Sequence, residues 1–360
     1  MRPFIFALIF AVCLPACSAQ TWTFAVSGDS RNCGDVVMPA IAKKVLDDHA
    51  AFYWHLGDFR AMNGMDQDWL QTAGPDPGIL KYEAEAWLDF IQNQLGPFGG
   101  LPVYLGKGNH ETGGHKTPAD YLHQFDNRLN APVLREQRLR DNSAAIEPKA
   151  YFHWIQGGVD FITLDNSTSN QIDAAQMAWL SEVLKKAAAN KEIKSLVLGM
   201  HAALPDSLSA GHSMNDSSQG TKSGREIYQA LVDFQEHAKK HVYVLASHSH
   251  FVLSNIYDTA CRRLKKQTVL PGWIVGTGGA VRYRLPKDTG NGKAQTDVYG
   301  YLLGTVSADG TISFDFREVT IGDVPQSVSD RYTSPFVNQC FSNNRSNNVI
   351  AGPVQPPKCQ

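Results

Sequence analysis

Residue types that bind metal ions recur just beyond apolar, β-prone runs of this chain. They are Gly28-Asp29, Gly57-Asp58, Gly108-Asn109-His110-Glu111, His201 and Ser247-His248-Ser249-His250. Singly, each carries little: a Gly-Asp pair after a strand is commonly a turn, and a lone histidine usually a satisfied edge residue. Together they offer carboxylates, an amide oxygen and imidazoles. That mixture of hard oxygen and borderline nitrogen suits Zn, Mn or Fe and suits Ca poorly, because Ca takes oxygen ligands alone. In an extended segment a two-residue spacing turns both side chains to one face, so His248 and His250 can serve one site.

The elements that must position these residues follow from hydrophobic pattern. Strands are predicted at Thr21–Val26, Ala51–Leu56, Leu101–Leu105, Tyr151–Ile155, Val159–Leu164, Leu196–Leu198 and Val242–Leu245, and later at Gly272–Val275, Tyr299–Val306 and Thr311–Phe316. Helical periodicity runs over Val36–Asp48, Tyr82–Leu95, Ile172–Ala189 and Ile227–Lys240. The pattern is that of one layered α/β domain. Open α/β sheets place ligands where loops converge beyond the carboxyl ends of strands, and the candidate residues stand in such loops. The polar stretch from His201 to Lys222, with His212, Asn215 and Asp216, reads either as a substrate wall or as a surface excursion. His115 is a weaker candidate of the same kind. His49, His123, His153, His237 and His241 fall on predicted elements and read as structural.

In that order, these motifs resemble those of the calcineurin-like metallophosphoesterase superfamily over nearly all of Thr21 to about Arg317. Phe161-Ile162-Thr163-Leu164-Asp165, Gln176, Trp179-Leu180 and Gly276-Thr277-Gly278-Gly279 add to the likeness. The resemblance implies a four-layer α/β/β/α sandwich with two metal ions (Zn, Mn or Fe) at one end of the strands. It implies that Asp58 bridges them, that Asp29 and His250 bind the first, and that Asn109, His201 and His248 bind the second. The implied activity is hydrolysis of phosphomonoesters or phosphodiesters by a metal-bridging hydroxide, with His110 protonating the leaving oxygen or stabilising the transition state. The alternatives are a nucleotide pyrophosphohydrolase and a catalytically degenerate module that binds phosphate.

One departure stands out. Many members carry Asp-x-His in the first motif, whereas this chain has Asp29-Ser30-Arg31. Arginine stays protonated and has no lone pair, so it cannot be a ligand. Purple acid phosphatases also lack that histidine but place a tyrosine three residues after the second aspartate, where this chain has Ala61. The first ion would keep Asp29, Asp58 and His250, and Asn32 or Asn63 could supplement them. Arg31 itself reads either as a phosphate-binding catalytic residue or as a salt-bridge partner.

Composition bounds the partners. The chain has 360 residues, 43% hydrophobic and 19% charged, with a formal net charge of -2. That balance excludes nucleic-acid binding through a basic surface, and the resemblance implies a small phosphorylated substrate. Residues 1–19 read as a signal peptide: Arg2 is the only charge before Asp29, and Phe4–Leu14 is apolar. Cleavage before Gln20 competes with a lipoprotein reading of Leu14-Pro15-Ala16-Cys17, which would leave Cys17 as a lipid anchor. Either route exports the chain to the periplasm or the cell exterior, and no later stretch has the ~18 apolar residues of a membrane helix. Cys33, Cys261, Cys340 and Cys359 then permit two disulfides, with their pairing open. The expected divisions are 1–19, a catalytic domain over 20–330, and an Asn/Ser/Pro-rich tail over 331–360 that a disulfide would tether.

Overall fold

Alternate residues along the central strands feed different apolar layers, and that alternation builds the molecule. The computed structural model describes residues 21–167, 171–209, 211–285 and 294–349. The expected signal peptide, Cys17 and Cys359 lie outside these residues. One sheet runs in the order β13 (Ile312–Val319), β12 (Tyr299–Val306), β1 (Trp22–Ser27), β2 (Tyr53–His55) and β3 (Val103–Leu105). Its strands β1, β2 and β3 are parallel, while β12 pairs antiparallel with both β1 and β13. The larger sheet runs β11 (Ala294–Gln295), β8 (Val252–Ser254), β9 (Gly272–Val275), β7 (His241–Ala246), β6 (Ser195–Met200), β5 (Val159–Thr163) and β4 (Phe152–Gln156). Its central strands β5, β6, β7 and β9 are parallel, with β4 and β8 antiparallel to their neighbours. A short parallel pair, β10 (Arg282–Arg284) and β14 (Arg345–Val349), stands apart.

Phe161, Val197, Tyr243 and Leu245 join the core that also holds Phe24, Phe52 and Trp54 of the first sheet. Their strand neighbours Ile162, Leu198, Val242 and Val244 join a second core with helices Ala174–Ala189 and Ser218–Ala238. Helix Gly34–Asp47 packs on β12 and β13, so the layers run helix, sheet, sheet, helix, the four-layer class expected. Between the sheets, Phe161 meets Phe24 edge-on at 5.0 Å and Phe52 edge-on at 5.1 Å, while within its own sheet it stacks on Trp154 at 5.1 Å. Such pairs add about 0.5–1.5 kcal/mol each beyond the area they bury.

Two parts of the sequence reading change. The last long helix begins at Ser218 rather than Ile227, with the Ser217 hydroxyl accepting from the Gly220 amide. Its first turns bury Gly220, Ser223 and Gly224, which are small rather than apolar, so hydropathy does not mark that face. The polar stretch after His201 is therefore partly helical. Beyond Asp330, helix Ser334–Ser342 buries Phe336, Val337 and Cys340, and Cys340 forms a disulfide with Cys33 across a separation of 307 residues. Cys261 is disulfide-bonded too. Nine residues hold too few turns for the periodicity of that helix to register in a Ser/Asn-rich segment. Among the described residues no helix is long and apolar enough to cross a membrane.

Cys33 caps helix Gly34–Asp47, so its bridge ties the final helix to the start of the first. Cross-linking so distant a pair restricts the unfolded chain strongly. Replacing both cysteines by serine is expected to lower unfolding free energy by about 2–5 kcal/mol. Equal thermal midpoints for the variant and the oxidised wild type would contradict this.

His153, buried on β4, donates from Nε2 to Asp141 at 2.5 Å and from Nδ1 to Asp160 at 2.8 Å. Burial opposes its charge, but the two carboxylates push its pKa up to about 9 from 6.5. Stability from this cluster is therefore complete below pH 6.5 and is lost as pH rises through about 9. His153→Gln should flatten that decline, worth about 1–3 kcal/mol, in denaturant unfolding measured across the interval.

Candidate metal centre

Loops after strands of both sheets meet at one end of the sandwich. Gly28-Asp29 follows β1, Gly57-Asp58 follows β2, Gly108-Asn109 follows β3, His201 follows β6 and Ser247-His248 follows β7. Backbone groups stitch them together: the Asp29 amide donates to the Gly57 carbonyl at 3.0 Å, the Ser30 amide to Asp58 at 2.9 Å and the Ser247 amide to His201 at 2.9 Å. Side chains extend the seam, since the His248 amide donates to Asp29 Oδ2 at 2.7 Å and the His110 amide to Asp58 Oδ1 at 3.0 Å. Asp29, Asp58 and His248 all adopt left-handed backbone, with φ of 59°, 61° and 66°. That conformation costs of the order of 1 kcal/mol or more for a residue with a Cβ, and the surrounding contacts must hold it. Glycine is required beside Asp58: Gly57 has φ 98°, and a Cβ there would lie 2.3 Å from the Gly108 nitrogen. A Cβ on Gly108 would lie 2.3 Å from Asp58 Oδ1.

Glu111 anchors the loops from beneath. Its buried carboxylate accepts from the amides of Gly108 at 2.6 Å, Asp58 at 2.8 Å and Phe59 at 2.7 Å. Burial first, and then the Asp58 charge, push its pKa up to about 7.

Asp29, Asp58, His201 and His248 present ligand atoms that all lie within 4.8 Å of one another. His201 Nδ1–H donates to the Leu56 carbonyl at 3.0 Å, which leaves the Nε2 lone pair facing inward. That lone pair faces Asn109 Oδ1 at 3.0 Å and Asp58 Oδ1 at 3.3 Å. In that tautomer three acceptors converge, an arrangement that an extra proton on His201 or a cation would reconcile. Burial opposes the protonated ring, but Asp58 pushes His201 up to about 9. His248 goes the other way, pushed by burial and by His201 down to about 3, so its neutral ring has a lone pair to give. Among the described residues the buried Asp29 Oδ1 and Asp58 Oδ2 receive no hydrogen bond. Burial works against their charge, yet His250 and His201 hold Asp29 down to about 2, and His201, His110 and Arg31 hold Asp58 well below the usual range. Asp58, Asn109, His201 and His248 thus have the chemistry to hold a cation.

The opposite side of Asp58 differs. His250 Nδ1–H donates to the Val281 carbonyl at 2.8 Å, and its Nε2 accepts from Arg31 Nη2 at 2.9 Å. Arg31 Nη1 donates to His110 Nε2 at 2.5 Å, while His110 Nδ1–H donates to the Ala61 carbonyl. Arg31 Nε lies 3.6 Å from Asp58 Oδ2. Burial opposes the guanidinium charge, but Asp58 and Asp29 raise its pKa above the usual value. Asp58 and His250 therefore face a guanidinium.

The remaining candidates face elsewhere. Asn32 Oδ1 accepts from the Val281 amide, Asn63 Oδ1 accepts from the Gly114 amide, and exposed His115 binds Glu83. Sequence reasoning gave no role to Glu111, to buried His55, whose Nε2 lies 2.9 Å from Ser30 Oγ, or to Tyr283, stacked on His250 at 4.2 Å. His212, on the polar stretch read as a wall or an excursion, packs edge-on against His248 at 4.8 Å. The Glu111 position in its motif was a usable signal, whereas Tyr283 had none, because it reaches the site only through β10.

No protein-family model matches the sequence, and no curated protein matches it. Solved structures do. The purple acid phosphatase PPD1 from yellow lupin (Lupinus luteus) seeds matches with a TM-score of 0.53 at 17% identity, over 82% of this chain and 54% of that one. PhoD matches with a TM-score of 0.52 at 14% identity, over 85% of this chain and 73% of that one. The fold is that of the metallophosphoesterases. The chain spans about half the length of the lupin phosphatase chain. Within the metallophosphoesterase fold, the cluster occupies the strand ends where the sequence motifs placed it.

Glu111 touches no ligand atom of the cluster yet fixes the loops that carry Asp58 and Asn109. In Glu111→Gln an amide NH2 would face backbone N–H donors. The variant should stay folded while its affinity for Mn or Zn falls about 10–100-fold in chelator competition. Wild-type affinity would remove this positioning role.

Proposed function

We propose that the chain hydrolyses phosphate esters of small molecules at a centre holding Zn, Mn or Fe. The observation that carries this reading is the convergence of His201 Nε2, Asn109 Oδ1 and Asp58 Oδ1 beside a fixed guanidinium. When bound, the metal would supply Lewis-acid polarisation of the phosphoryl group and a water of lowered pKa. The chain's own residues do the rest. Asp58, Asn109, His201 and His248 hold the cation, and Arg31 donates N–H bonds to phosphoryl oxygens in the forked geometry that matches them. His110 works through Arg31: its Nδ1 proton is committed to Ala61, its Nε2 accepts from the guanidinium, and burial lowers its pKa. In this arrangement it is a positioning residue whose Nε2 lone pair is held by the guanidinium. Tyr283 and His212 pack on the outer imidazoles and restrict water there.

The Cys33–Cys340 disulfide supports export to an oxidising compartment, and the net charge of -2 supports attraction of the anionic substrate by the site rather than by the surface. A second reading, a phosphate-binding module without turnover, draws support from the guanidinium that faces His250. Chromogenic mono- and diesters and a nucleoside pyrophosphate, assayed with added Mn, Zn or Fe, separate these readings and the pyrophosphohydrolase alternative. Turnover of an ester is expected. Metal uptake without turnover of any substrate would instead establish the binding module.

Asp58→Asn, which keeps the shape and removes the shared charge, should lower kcat/KM at least about 100-fold with unchanged circular dichroism. Near-wild-type hydrolysis would place the chemistry elsewhere.

A further inference from the structure

We infer that the Arg31 guanidinium stands in for a second cation, so that the centre takes one metal ion per chain and the phosphate group is gripped between that ion and Arg31. The inference rests on the metal-centre reading above and concerns how many ions the centre admits. Asp58 divides its oxygens: Oδ1 faces His201 Nε2 at 3.3 Å, and Oδ2 faces Arg31 Nε at 3.6 Å. The lone pair of His250 is spent on Arg31 Nη2 at 2.9 Å, because its other nitrogen is fixed by Val281. Asp29, Asp58, His201 and His248 are the group whose ligand atoms all lie within 4.8 Å of one another; His250 Nε2 lies 3.3 Å from Asp29 Oδ1 but stands outside that group. A metal ion on Asp29, Asp58 and His250 would meet a permanent positive charge that is hydrogen-bonded to His250 Nε2 and 3.6 Å from Asp58 Oδ2.

Arg31 cannot simply withdraw. Its side chain is 15% exposed, and the backbone on its C-terminal side is pinned. The Asn32 amide donates to Asp66 Oδ1 at 2.7 Å, and Asn32 has left-handed backbone with φ 67°. The Cys33 amide donates to the Gly279 carbonyl at 3.2 Å, and Cys33 is bonded to Cys340. Tyr283 and His110 close two sides of the guanidinium's surroundings, the first through its stack on His250. One divalent ion with Arg31 balances the carboxylates of Asp29 and Asp58 and leaves an excess positive charge for a phosphate dianion.

The test counts metal and measures phosphate binding on the full chain, without reference to turnover. After equilibration with excess Mn and removal of free ion, elemental analysis should give one ion per chain in the wild type. Electron paramagnetic resonance should show isolated Mn(II) rather than an exchange-coupled pair. Arg31→His, which restores the Asp-x-His pattern, should take up a second ion and show coupling. Arg31→Ala should lower the affinity of the Mn-loaded protein for inorganic phosphate about 10–100-fold. Two ions in the wild type, or a coupled spectrum there, overturns the inference and leaves the proposed hydrolysis standing. One ion with no ester turnover defeats the hydrolysis and leaves this inference standing. Unchanged phosphate affinity in Arg31→Ala overturns the grip, and no bound ion at all defeats both readings.

Discussion

Two carboxylates buried to zero exposure, Asp29 and Asp58, set the terms for this end of the molecule. An unpaired buried charge costs several kcal/mol, so the fold has to deliver positive groups and amide donors to the same few ångströms. It does so from every adjoining loop. Arg31 arrives from the loop after β1, His110 and its amide from the loop after β3, His201 from β6 and the His248 amide from β7. Glu111 adds a third buried carboxylate but spends it entirely on backbone N–H groups, which is why it can lie next to Asp58.

Compensation remains incomplete. Asp29 Oδ1 and Asp58 Oδ2 stay without hydrogen bonds among the described residues, and three acceptor atoms point at each other around His201. Left-handed backbone at Asp29, Asp58 and His248 adds strain at the same place. Strain and unmet polarity gather at ligand sites because the rest of the structure is stable enough to bear them. Here that support is the aromatic packing between the sheets.

The sequence disclosed much of this because the chemistry is local. Asp29, Asp58, Asn109, His201, His248 and His250 each sit within a few residues of a strand end, and strands are legible from runs such as Ala51–Leu56 and Val242–Leu245. Glycine-aspartate pairs were informative for a steric reason, since the loop after β2 crosses that after β3 too closely for a Cβ. What stayed hidden depends on long-range placement. The Arg31 contacts with His110 and His250 join residues 79 and 219 positions apart. Tyr283 and His212 carry no motif, and small residues conceal the first turns of helix Ser218–Ala238. The cysteine pairing became clear only when helix Ser334–Ser342 docked near Cys33.

Because the proposed cation ligands come from loops of both sheets, an ion held there would also be a fastener across the sandwich. Asp58 and Asn109 belong to one sheet, His201 and His248 to the other. Binding to the native state but not the unfolded one raises stability by mass action, about 2.7 kcal/mol at a free concentration one hundred times Kd. Thermal stability therefore becomes a gauge of occupancy, and in a metal-poor medium the same chain would be an easier substrate for proteases. Metal supply would then set not only how fast the centre works but how long the protein lasts.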